Sequence, residues 1–235
     1  MAEDDPLLRQ ARAELTLGGP GKTLDLTLWE HSRRVMTNAD LIANLPDVTN
    51  ERVDRQALRV AALYHDAGWA VQVAAGQVPY QHVLIRPTTD IQHELAAELV
   101  ESSLRHRLPP RTLERAARAI RGINNRKHDL VEAHILSDAD NLDQIGPIGL
   151  LQSLRRAVVE GREVRQLVTA WQRQQEYHYW EARIREGIRF EAVRELAWRR
   201  LAAIEPFMLA LSEQLESRDL AEVIRSVMTD RVPPT

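Results

Sequence analysis

The chain contains no cysteine, which removes disulfides, thiolate metal ligands and cysteine nucleophiles together and leaves His, Asp and Glu as candidate ligands. Lysine is nearly as scarce. Lys22 and Lys127 are the only two, so arginine, whose planar fork matches phosphate oxygens, carries almost all of the positive charge. No apolar run reaches membrane-spanning length, and the acidic start MAEDDPLLRQARAEL has no long apolar core. Neither a transmembrane segment nor a signal peptide is therefore expected, and a cytoplasmic location is the default. A formal net charge of -3 lacks the broad basic field of a dedicated nucleic-acid binder.

What is present fits an ordinary globular protein: 235 residues, 44% hydrophobic and 28% charged, enough for one large domain with a sizeable core. No alternating strand pattern, fixed-period repeat or low-complexity tract occurs, so an all-α fold is expected. From Leu26 to Leu45 the apolar residues Leu28, Val35, Ala39 and Ile42 recur at helical steps. His31 falls on the same stripe and should point inward. Asn50 and Glu51 are read as opening the next helix, whose apolar run Ala57 to Tyr64 leads into His65-Asp66.

Residues 75–90, rich in Gly and Pro, read as a loop able to cover a site. Thr88, Thr89 or Asp90 would then cap a helix through His93 to Leu104, and further helices are expected over Thr112–Ile123 and Leu130–Leu142. Beyond Leu150 come an arginine-rich helical segment, the aromatic cluster Trp171, Tyr177, Tyr179 and Trp180, whose spacing suits core packing, and one long helical stretch from Phe190 to Leu215. Gly18 to Thr23 imitates a phosphate-binding loop, but Thr16 occupies the required first glycine position and no strand precedes it. That segment reads as a hinge.

Three separated clusters carry the chemistry: His31, His65-Asp66 and Asp138-Ala139-Asp140. Imidazole nitrogen suits transition metals, and carboxylate oxygen supplies the negative charge that holds a dication. Asp66 ends a strongly apolar helix, where a carboxylate requires a compensating cation or hydrogen bonds. Acids as dense as Asp138, Asp140 and Asp143 near a helix C-terminus oppose the helix dipole, so folding alone gives little reason for them. Periodicity leaves open whether Asp138 or Asp140 points inward. A second His-Asp pair, His128-Asp129, sits in a polar run where Asp129 reads as an N-cap.

The set WEHSRRV, LYHDAGW and SDADNLDQIGPIG resembles the HD-domain metal-dependent phosphohydrolases, and the last string a bacterial subgroup with a DAD-x-LD-x-x-G-x-x-G signature. The resemblance spans approximately residues 26–215. It implies an HD-domain-like helical bundle with additional C-terminal helices, and the metal ligands His31, His65, Asp66 and Asp140. Asp138 would then orient water, and His93 would act in catalysis or substrate binding. Arg34, Arg126 and Lys127 are further candidates for binding phosphate.

Ala67-Gly68-Trp69 stands where many two-metal members carry Ile-Gly-Lys, and Ile123-Asn124-Asn125 where a second extra histidine falls. One divalent ion is therefore expected, drawn from Mn, Fe, Co, Ni, Mg or Zn. The organisation read is 1–24 N-terminal helix and hinge, 25–217 HD-type domain, and 218–235 C-terminal helix and tail. The implied activity is hydrolysis of a phosphate ester or anhydride on a small phosphorylated substrate, a nucleotide by default. A phosphodiesterase or nuclease, or a non-catalytic metal-binding module, are the rival readings. A homodimer is among the assemblies permitted.

Overall fold

A computed structural model describes residues 5–18, 24–49 and 51–229. The expected all-α architecture is what it shows. Helix α1 (Pro6–Leu15) is capped by the Asp5 carboxylate, which accepts the Leu7 N–H, and it buries Ala11 and Leu15. Two-residue strands β1 (Leu17–Gly18) and β2 (Leu24–Asp25) then pair antiparallel. This ribbon was not read from the sequence, because two residues are too few to display an alternating pattern. The greater part of the glycine-rich segment read as a hinge, residues 19–23, lies outside the described residues.

Helix α2 (Thr27–Ile42) buries the stripe containing Leu28, His31, Val35, Ala39 and Ile42, and the short α3 (Pro46–Thr49) follows. Helix α4 (Arg55–Tyr64) begins later than expected. Its start is set by Asp54, whose carboxylate accepts the Ala57 N–H at 2.9 Å, and not by Glu51, which lies in a bend; Asn50 lies outside the described residues. The helix is buried on nearly every side, with Leu58, Leu63 and Tyr64 fully inaccessible. Helix α5 (Gly68–Ala74) leaves α4 immediately after His65-Asp66.

Gly68 permits that departure, since a Cβ there would lie 2.1 Å from the Gln92 carbonyl oxygen of α6. After a loop broken only by a 3-10 turn at Tyr80–His82, α6 (Asp90–Ser103) starts at Thr89, whose N–H is accepted by the Gln92 side chain. Trp69 donates its indole N–H to Thr88 at 2.9 Å and holds the end of the loop on α5.

Helices α7 (Pro110–Arg121) and α8 (Val131–Asp143) complete the packed core: α2 lies against α4 and α8, and α7 against α4 and α6. Asp129 does not cap α8. Arg118 holds its carboxylate, while the His128 ring accepts the Leu130 N–H at 3.0 Å.

The remainder comprises α9 (Pro147–Val159), α10 (Val164–Glu176), α11 (Tyr179–Gly187), α12 (Glu191–Ala202), α13 (Glu205–Leu215) and α14 (Arg218–Thr229). The single stretch expected from Phe190 to Leu215 is therefore two helices, broken at Ala203 and Ile204 just before Pro206, which cannot donate to a continuing helix. Among the described residues no helix is long and apolar enough to cross a membrane.

Candidate metal centre

Four side chains from three separate segments meet at one point. His31 projects from the buried face of α2, His65 and Asp66 from the end of α4, and Asp140 from α8. His31 Nε2 lies 3.2 Å from His65 Nε2, 3.4 Å from Asp66 Oδ2 and 3.3 Å from Asp140 Oδ1. His65 Nε2 lies 3.5 Å from Asp66 Oδ2 and 3.6 Å from Asp140 Oδ1. Atoms held about 2.0–2.2 Å from a common ion sit roughly 3.0–3.6 Å from one another, so the donor set fits a divalent metal.

Neighbouring groups orient both imidazoles. His31 Nδ1 lies 2.8 Å from the Asp143 carboxylate, which Arg34 grips at 2.7 and 3.0 Å. His65 Nδ1 lies 3.0 Å from the Ala62 carbonyl, one of the carbonyls that α4 leaves unpaired at its end. With a proton on each Nδ1, both Nε2 lone pairs face the other ligands, the arrangement that a metal requires. Asp140 is held in turn by Gln144 Nε2, 3.0 Å from both oxygens, and the Gln144 carbonyl accepts from Arg183 at 2.6 Å.

The electrostatics show a demand for positive charge. Burial pushes the His31 pKa down, but hydrogen bonds to Asp140, Asp143 and Asp66 outweigh it and raise the pKa well above the ordinary value. His65 is raised against the same burial by the charges of Asp66 and Asp140 and a hydrogen bond to Asp140. Burial raises Asp66 and Asp140, yet the two imidazoles bring both below the ordinary carboxylate range. Three acids with Arg34 as the permanent cation among them thus draw protons onto the imidazoles, the positions a dication would take.

The other expected site residues are placed differently. Asp138, two positions from Asp140 and so about 200 degrees round α8, faces away: its oxygens accept the backbone N–H groups of Arg189 and Phe190 at 2.8 and 2.9 Å, at the start of α12. Burial lifts its pKa to about 6 against those hydrogen bonds. Arg34 is engaged with Asp143, while Arg126 and Lys127 are exposed on the α7–α8 loop, outside the cleft lining. His93 on α6 is 4% exposed, its Nδ1 has no hydrogen-bond partner, and its pKa is lowered by burial although the charges of Asp66 and Asp140 oppose this.

A cleft of about 220 Å³ reaches His31 and Asp66. Arg86 from the loop, Arg156 from α9 and Arg183 from α11 line it. None of the three was singled out from the sequence, because nothing in an isolated arginine, on a loop or a helix, marks which long-range neighbour it meets. Asp143 and Gln144 were missed too, although their positions three and four residues after Asp140 put them on its face of α8.

An all-α bundle that aims two oriented imidazoles and two carboxylates at one point defines a metal-centre protein. The chain belongs to the HD domain family, whose model matches residues 28–145. In structure it resembles a protein described as a predicted HD superfamily hydrolase from an uncultured Thermotogales bacterium, with 21% identity and a TM-score of 0.49 over 92% of this chain and 88% of that one. It also resembles Bacillus subtilis YpgQ, solved in complex with ADP, with 19% identity and a TM-score of 0.56 over 89% of this chain and 96% of that one. At such identity the likeness to YpgQ speaks to fold alone. No curated protein matches the chain.

Proposed function

We propose that the protein is a metal-dependent phosphohydrolase that cleaves a phosphate ester or anhydride of a nucleotide, using one divalent ion held by His31, His65, Asp66 and Asp140. The observation that carries this reading is the convergence of the His31 and His65 Nε2 atoms on each other and on carboxylate oxygens of Asp66 and Asp140, at 3.2–3.6 Å, beside an arginine-lined cleft. YpgQ, solved with ADP, supports the choice of nucleotide. When bound, the ion supplies Lewis acidity at a phosphoryl oxygen and water of lowered pKa.

The chain's own residues do the rest. Asp143 and Arg34 hold the His31 ring, Gln144 holds Asp140, and Arg86, Arg156 and Arg183 neutralise phosphate charge as it develops. His93, kept neutral by burial and with Nδ1 unpaired, takes or gives a proton. Asp138 serves the joint between α8 and α12 and stays out of the chemistry.

The test is an assay of nucleotides and simple phosphate esters with Mn, Co, Ni, Mg and Zn, read beside metal content. His65→Ala and Asp66→Ala are expected to lose both metal and hydrolysis while remaining folded. His93→Gln keeps the metal and loses about 10²–10⁴-fold in kcat. Full activity in either ligand variant overturns the proposal.

A further inference from the structure

Trp171 on α10 and Trp180 on α11 form a tilted pair with ring centroids 6.2 Å apart and planes at 45°. Their sequence spacing suits core packing, yet both are only half-buried and they wall a mainly apolar cavity of about 140 Å³ with Leu150, Leu167 and Met208. Folded interiors close such spaces, because a void forfeits dispersion contacts along its whole lining. Here the space stays open beside the metal cleft. The two share Gly149, Ser153, Arg156, Gln174 and Trp180 as a common rim, and together they reach the low end of the range of small-molecule sites, about 300–1,000 Å³.

The rim changes character across its width. On the far side are aromatic faces and aliphatic groups, with Arg162 and Gln166 among them. On the near side Ser153 and Gln174 offer hydroxyl and amide groups, and Arg156 and Arg183 face the cleft. Arg183 stands 5.8 Å from the Trp180 ring centroid and donates to Gln144, which holds Asp140. A molecule with one flat end and one phosphate end therefore finds matching surfaces in order, from indoles through polar rim to arginines and the His31 cluster.

We infer that this annex binds the flat ring of the substrate's leaving group, a ring with apolar faces and a polar edge, while the cleft takes the phosphate. The inference rests on reading the His31 cluster as a phosphohydrolase centre, and it makes Trp171 and Trp180 specificity-determining residues. Phosphate compounds without a ring gain nothing from the annex. Stacking on an aromatic side chain is sequence-tolerant among bases because each has a π-face, so the annex selects for a ring before it selects among rings.

The experiment titrates the full-length protein with adenosine and, separately, with benzyl alcohol, neither of which carries a phosphate to hydrolyse, and follows tryptophan emission. Saturable quenching is expected. Trp171→Ala should weaken ring binding at least about tenfold. Ala170→Phe fills the annex while keeping both indoles, so an equal loss in that variant separates occlusion from misfolding. Metal content should match the parent protein in both.

Tighter binding of adenosine assigns the annex to a nucleobase, and equal binding assigns it to any flat ring. Absence of a saturable response to either probe, or undiminished binding in Ala170→Phe, overturns the inference. Ring binding without hydrolysis of any phosphate compound would instead sink the phosphohydrolase reading, and hydrolysis without ring binding would sink the annex alone.

Discussion

His31 depends on a residue 112 positions away in the chain. Its Nε2 is available for a ligand role because Nδ1 bonds the Asp143 carboxylate at 2.8 Å, and Asp143 is held there by Arg34. Partners of this kind typically contribute 10–100-fold to metal affinity. Asp143→Ala is therefore expected to weaken metal binding by about that factor in a chelator competition, leaving Arg34 unpaired. Affinity equal to that of the parent protein would remove Asp143 from the positioning role. Asp143 stood in the DADNLD string and was legible there as an acid but not as a partner, since helical periodicity reports a residue's face and not what lies opposite. His65-Asp66 was easier to read, because a carboxylate at the end of the apolar α4 advertises its need for a cation.

Helix α8 does two tasks with two aspartates on opposite sides. Asp140 faces the metal centre, whereas Asp138 ties α8 to the start of α12 by accepting two backbone N–H groups. The family pattern put the ligand at Asp140, but the duty of Asp138 rests on Arg189 and Phe190, some fifty residues on, and no local signal reports it. Deleting an acceptor of buried N–H groups costs about 1–3 kcal/mol for each group left unsatisfied. Asp138→Ala should therefore lower stability in urea by about 2–6 kcal/mol and leave metal content intact. An unaltered denaturation midpoint would show that the joint does not need the carboxylate, and loss of metal without loss of stability would return Asp138 to the site. Helix boundaries do carry local signals. Pro110 opens α7 two residues before the expected Thr112, and Pro206 stands in the first turn of α13, a signal overlooked when the apolar run from Phe190 to Leu215 was read as one stretch.

At the scale of the molecule, the two halves of the chain supply different parts of the site. The converging His and Asp residues all come from the stretch matched by the family model, residues 28–145, while Arg156, Arg183 and the tryptophan pair come from α9 to α11. Short motifs made the first set legible. The second set needed the fold, since only packing decides which arginines reach the cleft. An ion at the centre would join α2, the end of α4 and α8, and would relieve the mutual repulsion of buried acids. A ligand that binds only the folded state stabilises it by about 2.7 kcal/mol at a free concentration of 100 Kd. For a chain of this size each kcal/mol moves Tm by about 2–4 °C. Calorimetry is thus expected to show the metal-loaded protein melting about 5–10 °C above the chelated one, and His65→Ala should erase that difference. If chelator leaves Tm unmoved in a protein shown by metal analysis to have been loaded, the four side chains do not hold the ion and it binds elsewhere.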